Sequence, residues 1–192
     1  MTKLLGISGS LRQHSLNTAL LKAGQALLPD GVTLEIATLH GIPLYDGDLE
    51  EKSGIPEAVT ALKQKILASD GIILASPEYN AGIPGVFKNA IDWVSRPPAE
   101  SAAIFQRPFA VIGASPSGFG TILGQHAWLG VLRQLGADYW SGGRLLISRA
   151  HESFDDQGKL INQRNQDEFA KFLQGFAKFL QGFAKFASRP KP

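Results

Sequence analysis

Short apolar runs alternate with stretches of helical period along most of the sequence. Leu4-Leu5-Gly6-Ile7 reads as a buried strand closed by Ser8-Gly9-Ser10. Apolar positions at Leu16, Ala19, Leu20, Ala23 and Leu27 predict a helix over about 16–28, stopped by Pro29-Asp30-Gly31. Residues 32–37 alternate as a strand does, and 38–55 carry little period and read as a long loop. Pro56 at a helix N1 position then opens a helix through Val59, Leu62, Ile66 and Leu67. Gly71-Ile72-Ile73-Leu74-Ala75 is the clearest buried strand; it breaks at Ser76-Pro77, and helix resumes over about 86–94. A strand over 109–113, a Ser/Gly-rich loop and a helix over about 125–135 follow. The last strand falls at 137–140 or at 145–147, and a C-terminal helix begins near Asn165.

Strand–helix alternation repeated about five times, with strands apolar on both faces, predicts a five-stranded parallel sheet covered by helices on both sides. The expected order is 2-1-3-4-5, the flavodoxin-like doubly wound α/β arrangement. Such sheets bind ligands beyond the carboxyl ends of their strands, where the strand order reverses. The chemistry should therefore sit in the loops after strands 1, 3 and 4.

Composition narrows the classes. The 192 residues are 44% hydrophobic and 19% charged, which suits one folded unit of moderate apolarity, and no run approaches the length of a membrane span. The absence of Cys excludes disulfides, thiolate metal sites and a cysteine nucleophile. With Gly6 and Ser8 interrupting the first apolar stretch, no secretory signal is read, and a cytoplasmic location is expected. The net charge of +2 divides unevenly. Residues 169–192 hold five basic residues and no acid, leaving 14 basic against 17 acidic residues in 1–168, a net −3. A slightly acidic body has no footprint for a phosphate backbone, so neither nucleic acid nor membrane is expected as a partner. His14, His40, His126 and His151 show no ligand spacing, and no metal is expected.

The first loop, Ser8-Gly9-Ser10-Leu11-Arg12-Gln13-His14-Ser15-Leu16-Asn17, places hydroxyls, an amide and a guanidinium where a helix begins. Free N–H groups and the positive end of the helix dipole make such a place an anion site. Ser10, Ser15 and Asn17 can add neutral donors, and Arg12 a bidentate charged pair, as a phosphate monoester requires. Capping of the helix by Ser15 explains one hydroxyl and leaves Ser8, Ser10 and Arg12 unaccounted for. The spacing is neither G-x-G-x-x-G nor G-x-x-x-x-G-K-[ST], which excludes Rossmann-type dinucleotide binding and P-loop hydrolysis. The third-strand loop, Ser76-Pro77-Glu78-Tyr79-Asn80-Ala81-Gly82-Ile83-Pro84-Gly85, is stiffened by prolines and offers peptide groups suited to the edge of a flat heteroaromatic ring, or it is a turn bearing a surface Tyr. The fourth, Ala114-Ser115-Pro116-Ser117-Gly118-Phe119-Gly120-Thr121, has glycines that admit a planar ligand, and is otherwise a flexible connection.

With Gly9-Ser10-Leu11-Arg12, Ser15 and Asn17, then Pro77-Glu78-Tyr79-Asn80 with Pro84-Gly85, and Lys88-Asn89-Ala90-Ile91-Asp92-Trp93, the chain from about Lys3 to Ile147 resembles the NAD(P)H-dependent FMN reductases, which include quinone, chromate and azo-dye reductases. The resemblance implies FMN as cofactor and NAD(P)H as co-substrate. It carries Ser10, Arg12, Ser15 and Asn17 to the phosphate, Pro77, Glu78, Tyr79 and Asn80 to the flavin, and Ser115, Ser117 and Gly118 to the flavin as well. The reactive atom is then flavin N5 and no side chain is catalytic; a small electron acceptor such as a quinone, flavin, chromate or azo dye takes the electrons. Family members are usually dimers or tetramers with the pocket near the interface, for which Phe105, Trp128 and Trp140 are large apolar candidates. The Lys88–Trp93 segment reads as scaffold, with Ile91, Trp93 and Val94 packing and Lys88 and Asp92 forming an i, i+4 pair. A flavodoxin-type electron carrier, or a binding module without flavin, remains as an alternative.

From Phe169 the heptad Phe-Ala-Lys-Phe-Leu-Gln-Gly occurs twice without change and starts a third time at Phe183, which puts six of the eleven Phe on one helical stripe. Residues 1–168 are read as the FMN-binding unit and 169–192 as a terminal helix and tail. Gly175 and Gly182 weaken a free helix by about 1 kcal/mol each. The first copy is accordingly expected on the core, and the later ones under a symmetry mate or disordered.

Overall fold

The computed structural model describes residues 1–187, with side chains to 185. Parallel strands β1 (Thr2–Ser8), β2 (Val32–Ala37), β3 (Gly71–Ala75) and β4 (Pro108–Ala114) lie in the order 2-1-3-4. The expected fifth strand is two. β5 (Asp138–Tyr139) pairs with Pro108 and Phe109, and β6 (Leu145–Ile147) pairs with Ile112 to Ala114, so both sequence candidates form and share one edge of β4. The sheet therefore has six strands, in the order 2-1-3-4-5 with β6 beside the later half of β4. Between the two, Trp140 is buried against Gly142 and Gly143, where an added Cβ would lie 2.6 and 2.7 Å from its indole.

Alternation along the strands sends Leu4, Ile73, Ala110 and Ile112 to one face and Leu5, Ile72, Leu74, Phe109 and Val111 to the other. Helices α1 (Leu16–Gln25) and, at the chain's end, α7 (Gln163–Ala187) cover the first face. The second lies under α3 (Glu57–Leu67), α4 (Gly85–Val94), α5 (Pro98–Phe105) and α6 (Ile122–Gln134). The short α2 (Gly47–Ser53) sits inside the stretch read as loop, where Asp46 accepts from Asp48 N–H and starts the turn. Its period is invisible in sequence because none of its residues is buried. Helix α5 was equally unannounced; it is one short Pro-initiated segment burying only Ile104 and Phe105. Pro56 is the residue before α3 rather than its first.

Helix α7 departs from expectation. The second heptad packs on this chain's own sheet: Phe169, Phe172, Leu173, Phe176 and Leu180 are all buried in the first-face core. Gly71 at the start of β3 makes this possible, since a Cβ there would lie 2.8 Å from the Leu180 side chain. Burying Phe169 and Phe176 contributes about 2 kcal/mol each, enough to outweigh the glycine at 175, which itself lets Trp140 approach. Phe179 and Phe183 are half-buried with rings 6.0 Å apart, while the Phe186 side chain, Arg189 and Lys191 lie outside the described residues.

Candidate functional site

The first loop leaves β1 at a place fixed by packing. Gly9 N–H donates to Ala75 O (2.9 Å), and a Cβ on Gly9 would run into the Phe87 ring. Ser8, one of the hydroxyls that capping left unexplained, is fully buried and 2.7 Å from Thr18 Oγ1, tying β1 to the first turn of α1. Ser15 is the N-cap, its Oγ accepting from Thr18 N–H (3.2 Å), and Ser10 Oγ accepts from Arg12 N–H (3.3 Å). Each hydroxyl acts as an acceptor, which leaves its own hydrogen to donate outward. The N–H groups of Ser10, Leu11, Gln13, His14 and Ser15 have no hydrogen-bond partner among the described residues. The first turn of α1 holds no acid, and Arg12 is exposed without an ion-pair partner among the described residues. Asn17 is different: Oδ1 accepts from Ala114 N–H (3.0 Å) and Nδ2 donates to Ala114 O (2.9 Å), at 3% exposure. The structure turns it to the end of β4.

The third-strand loop is a miniature hairpin. Tyr79 and Gly82 exchange backbone bonds of 3.2 and 3.0 Å across Asn80 and Ala81, both at positive φ (50° and 60°), the signature of a tight two-residue turn. Pro77 is buried, Glu78 is half-buried, and Tyr79 and Asn80 are exposed. The Glu78 carboxylate accepts from Gly124 N–H (2.8 Å), capping the first turn of α6. The N–H groups of Glu78 and Asn80 have no partner among the described residues.

In the fourth loop Ser115 Oγ lies 3.1 Å from Ser117 Oγ and accepts from Ser117 N–H, and Ser117 Oγ donates to Gly120 O. The N–H groups of Gly118 and Phe119 are without partners among the described residues, and Phe119 is 80% exposed. The segment after β6 closes over this loop, with Arg149 N–H on Ser117 O (2.9 Å) and Ala150 N–H on Ser115 O (3.0 Å). Arg149 holds a positive φ of 45° there. Sequence reasoning passed over this segment, and also His40, whose Nε2 lies 3.2 Å from Leu11 O. Neither carries a local signal, because their partners lie about 30 residues away in sequence. The scaffold reading of 88–93 holds: Lys88 and Asp92 pair at 2.7 Å, and Asn89 and Trp93 both donate to Pro43 O. Arg96 then binds Glu50 (2.9 Å) and lowers its carboxyl below the usual range, and Glu50 also accepts from Tyr45. Among the described residues no cluster of His, Asp and Glu is placed to hold a metal ion.

All three loops therefore meet at the carboxyl ends of β1, β3 and β4, beside the switch point. This defines a flavodoxin-like protein, with its unpaired donors where such folds bind ligands. The donors fit a flavin mononucleotide: a helix start with unpaired N–H groups and a free guanidinium for the dianion, and uncharged peptide donors for the ring. The sequence profile of the NADPH-dependent FMN reductases matches residues 2–152, and the chain belongs to that family. It is 40% identical over 172 residues to an NAD(P)H-dependent FMN reductase of Pseudomonas aeruginosa, spanning 90% of this chain and 91% of that one. It is 34% identical to a 2-hydroxy-1,4-benzoquinone reductase of a Burkholderia species, over 90% of each. The solved flavoenzyme NAD(P)H:(acceptor) oxidoreductase FerB of Paracoccus denitrificans superposes with a TM-score of 0.82 at 32% identity, covering 95% of this chain and 98% of that one.

Proposed function

We propose that this chain moves electrons from NAD(P)H to a small acceptor of the quinone class, with FMN held across the three loops. The observation that supports this is the set of backbone N–H groups, without partners among the described residues, that the loops bring to one edge of the sheet. The phosphate end falls to Ser10, Arg12, Ser15 and the N–H groups of 10–15. The ring end falls to the 77–80 segment and to Ser115, Ser117 and Gly118. When bound, FMN supplies the two-electron chemistry between nicotinamide and acceptor. The chain's own part is to bind, orient and shield. Peptide donors at Glu78, Asn80, Gly118 and Phe119 are fixed before any ligand arrives, so they stabilise negative charge on a ring without reorganising. The Glu78 carboxylate is committed to Gly124, which keeps its charge on the start of α6. Exposed Tyr79 and Phe119 offer apolar walls to a flat acceptor.

The same reading makes the chain a cytoplasmic homo-oligomer. Phe105, Trp128 and Trp140 cannot make that contact, being core residues at 0%, 0% and 7% exposure. Ile122, Leu123 and Leu129 on the outside of α6, next to Phe119, are the exposed apolar face such a contact would cover. No helix among the described residues is long and apolar enough to cross a membrane. The test is turnover. FMN-loaded protein should consume NADPH in the presence of 1,4-benzoquinone, and apoprotein should not. A carrier would bind FMN and leave NADPH untouched.

A further inference from the structure

We infer that Asn17 is a positioning residue that registers the phosphate-binding loop against the ring-binding loop, rather than a ligand of the phosphate. The inference rests on the FMN reading of the site. Strand β3 leaves its ladder at Ser76, whose N–H makes the last bond to β4, on Ile112 O (2.9 Å). Two residues further along β4, Ala114 would be left with an unpaired N–H and C=O inside the protein, which buried peptide groups rarely tolerate. The side chain of Asn17 supplies both partners, acceptor at 3.0 Å and donor at 2.9 Å, and so acts as one extra rung of the ladder from a helix 97 residues away in sequence.

The placement of this rung gives it a function beyond satisfying two peptide groups. Asn17 lies in the first turn of α1, whose start carries the phosphate donors, and that turn is also pinned to β1 through Ser8 and Thr18 (2.7 Å). Ala114 is the last residue of β4, and Ser115, next in the chain, begins the fourth loop. The Asn17–Ala114 pair thus sets the separation between the two ends of a bound flavin mononucleotide. With Oδ1 and Nδ2 both engaged and 3% exposure, the side chain has little left to offer a phosphate, unlike Arg12, which is exposed and free of ion pairs among the described residues.

The experiment titrates apoprotein of the parent, Asn17→Ala and Asn17→Ser with FMN, with riboflavin, which has the ring and no phosphate, and with inorganic phosphate competing against FMN, each read by quenching of flavin fluorescence. The serine variant puts a shorter polar side chain in the same space, too short to bridge both Ala114 groups, and stands in should the alanine variant not fold. Loss of the rung should weaken FMN about tenfold, while riboflavin and inorganic phosphate, each held at one loop, bind as they do to the parent. Weakening of inorganic phosphate together with FMN would make Asn17 a phosphate ligand and overturn the inference. Equal weakening of riboflavin would confine its effect to the ring loop, and a lowered melting temperature with all three affinities unchanged would make it a structural residue only; either overturns it. A parent that binds neither FMN nor riboflavin would instead remove the FMN reading on which the inference stands.

Discussion

Arg12 and Ala81 show most plainly how single residues divide between ligand and fold. Arg12 is exposed and has no ion-pair partner among the described residues, so Arg12→Ala should leave the melting temperature unchanged. A charge-assisted pair is worth about 1.5–3 kcal/mol, so the same change should weaken FMN roughly 10- to 100-fold in a fluorescence titration while riboflavin is spared. Equal weakening of both would move Arg12 away from the phosphate. Ala81 is the converse, a residue held at φ 60° where an L side chain is disfavoured. Ala81→Gly should raise the free energy of unfolding by about 0.5–1 kcal/mol in urea, the relief of strain exceeding the entropy that glycine adds to the unfolded chain. The residue types of the site were readable from sequence because helix starts and rigid loops have local signatures. The direction in which Asn17 and Glu78 point was not, since Ala114 and Gly124 become their neighbours only through the fold.

Among the elements, the long strands and amphipathic helices were legible because each shows its period over two turns or more. The misses share a cause: α2 and α5 are too short or too exposed to show one, and β5 and β6 are too short for pattern alone to choose between them. The strap formed by residues 43–50 illustrates what such an element does. Arg96 lowers the Glu50 carboxyl, so this contact is fully present above the ordinary carboxylate range and is lost as pH falls through the lowered value. Glu50→Gln should therefore flatten the acid limb of melting temperature against pH. Helix α7 makes a separate test. Deleting 176–182 gives the same polypeptide as deleting 169–175, brings Phe183 to the place of Phe176, and puts Ala187 where Leu180 packs. The loss should resemble one buried Leu→Ala change, about 2–5 kcal/mol in urea unfolding, with FMN affinity retained. Unchanged stability would mean that Leu180 contributes nothing to the core.

In the molecule as a whole, a doubly wound sheet brings three loops together at its switch point, with an apolar patch on α6 beside them. Leu123→Lys with Leu129→Lys should shift the sedimentation coefficient to that of a monomer, because both side chains are exposed and neither belongs to the core. Identical sedimentation of parent and variant would contradict the proposal that this α6 face joins two copies of the chain. The central claim, that the three loops hold FMN so that NAD(P)H can reduce it, is tested most directly by the visible spectrum of the FMN-loaded protein under anaerobic titration with NADPH. The expected result is bleaching of the flavin band at one equivalent and its return on adding 1,4-benzoquinone. A band that stays at full height in excess NADPH and NADH would contradict it.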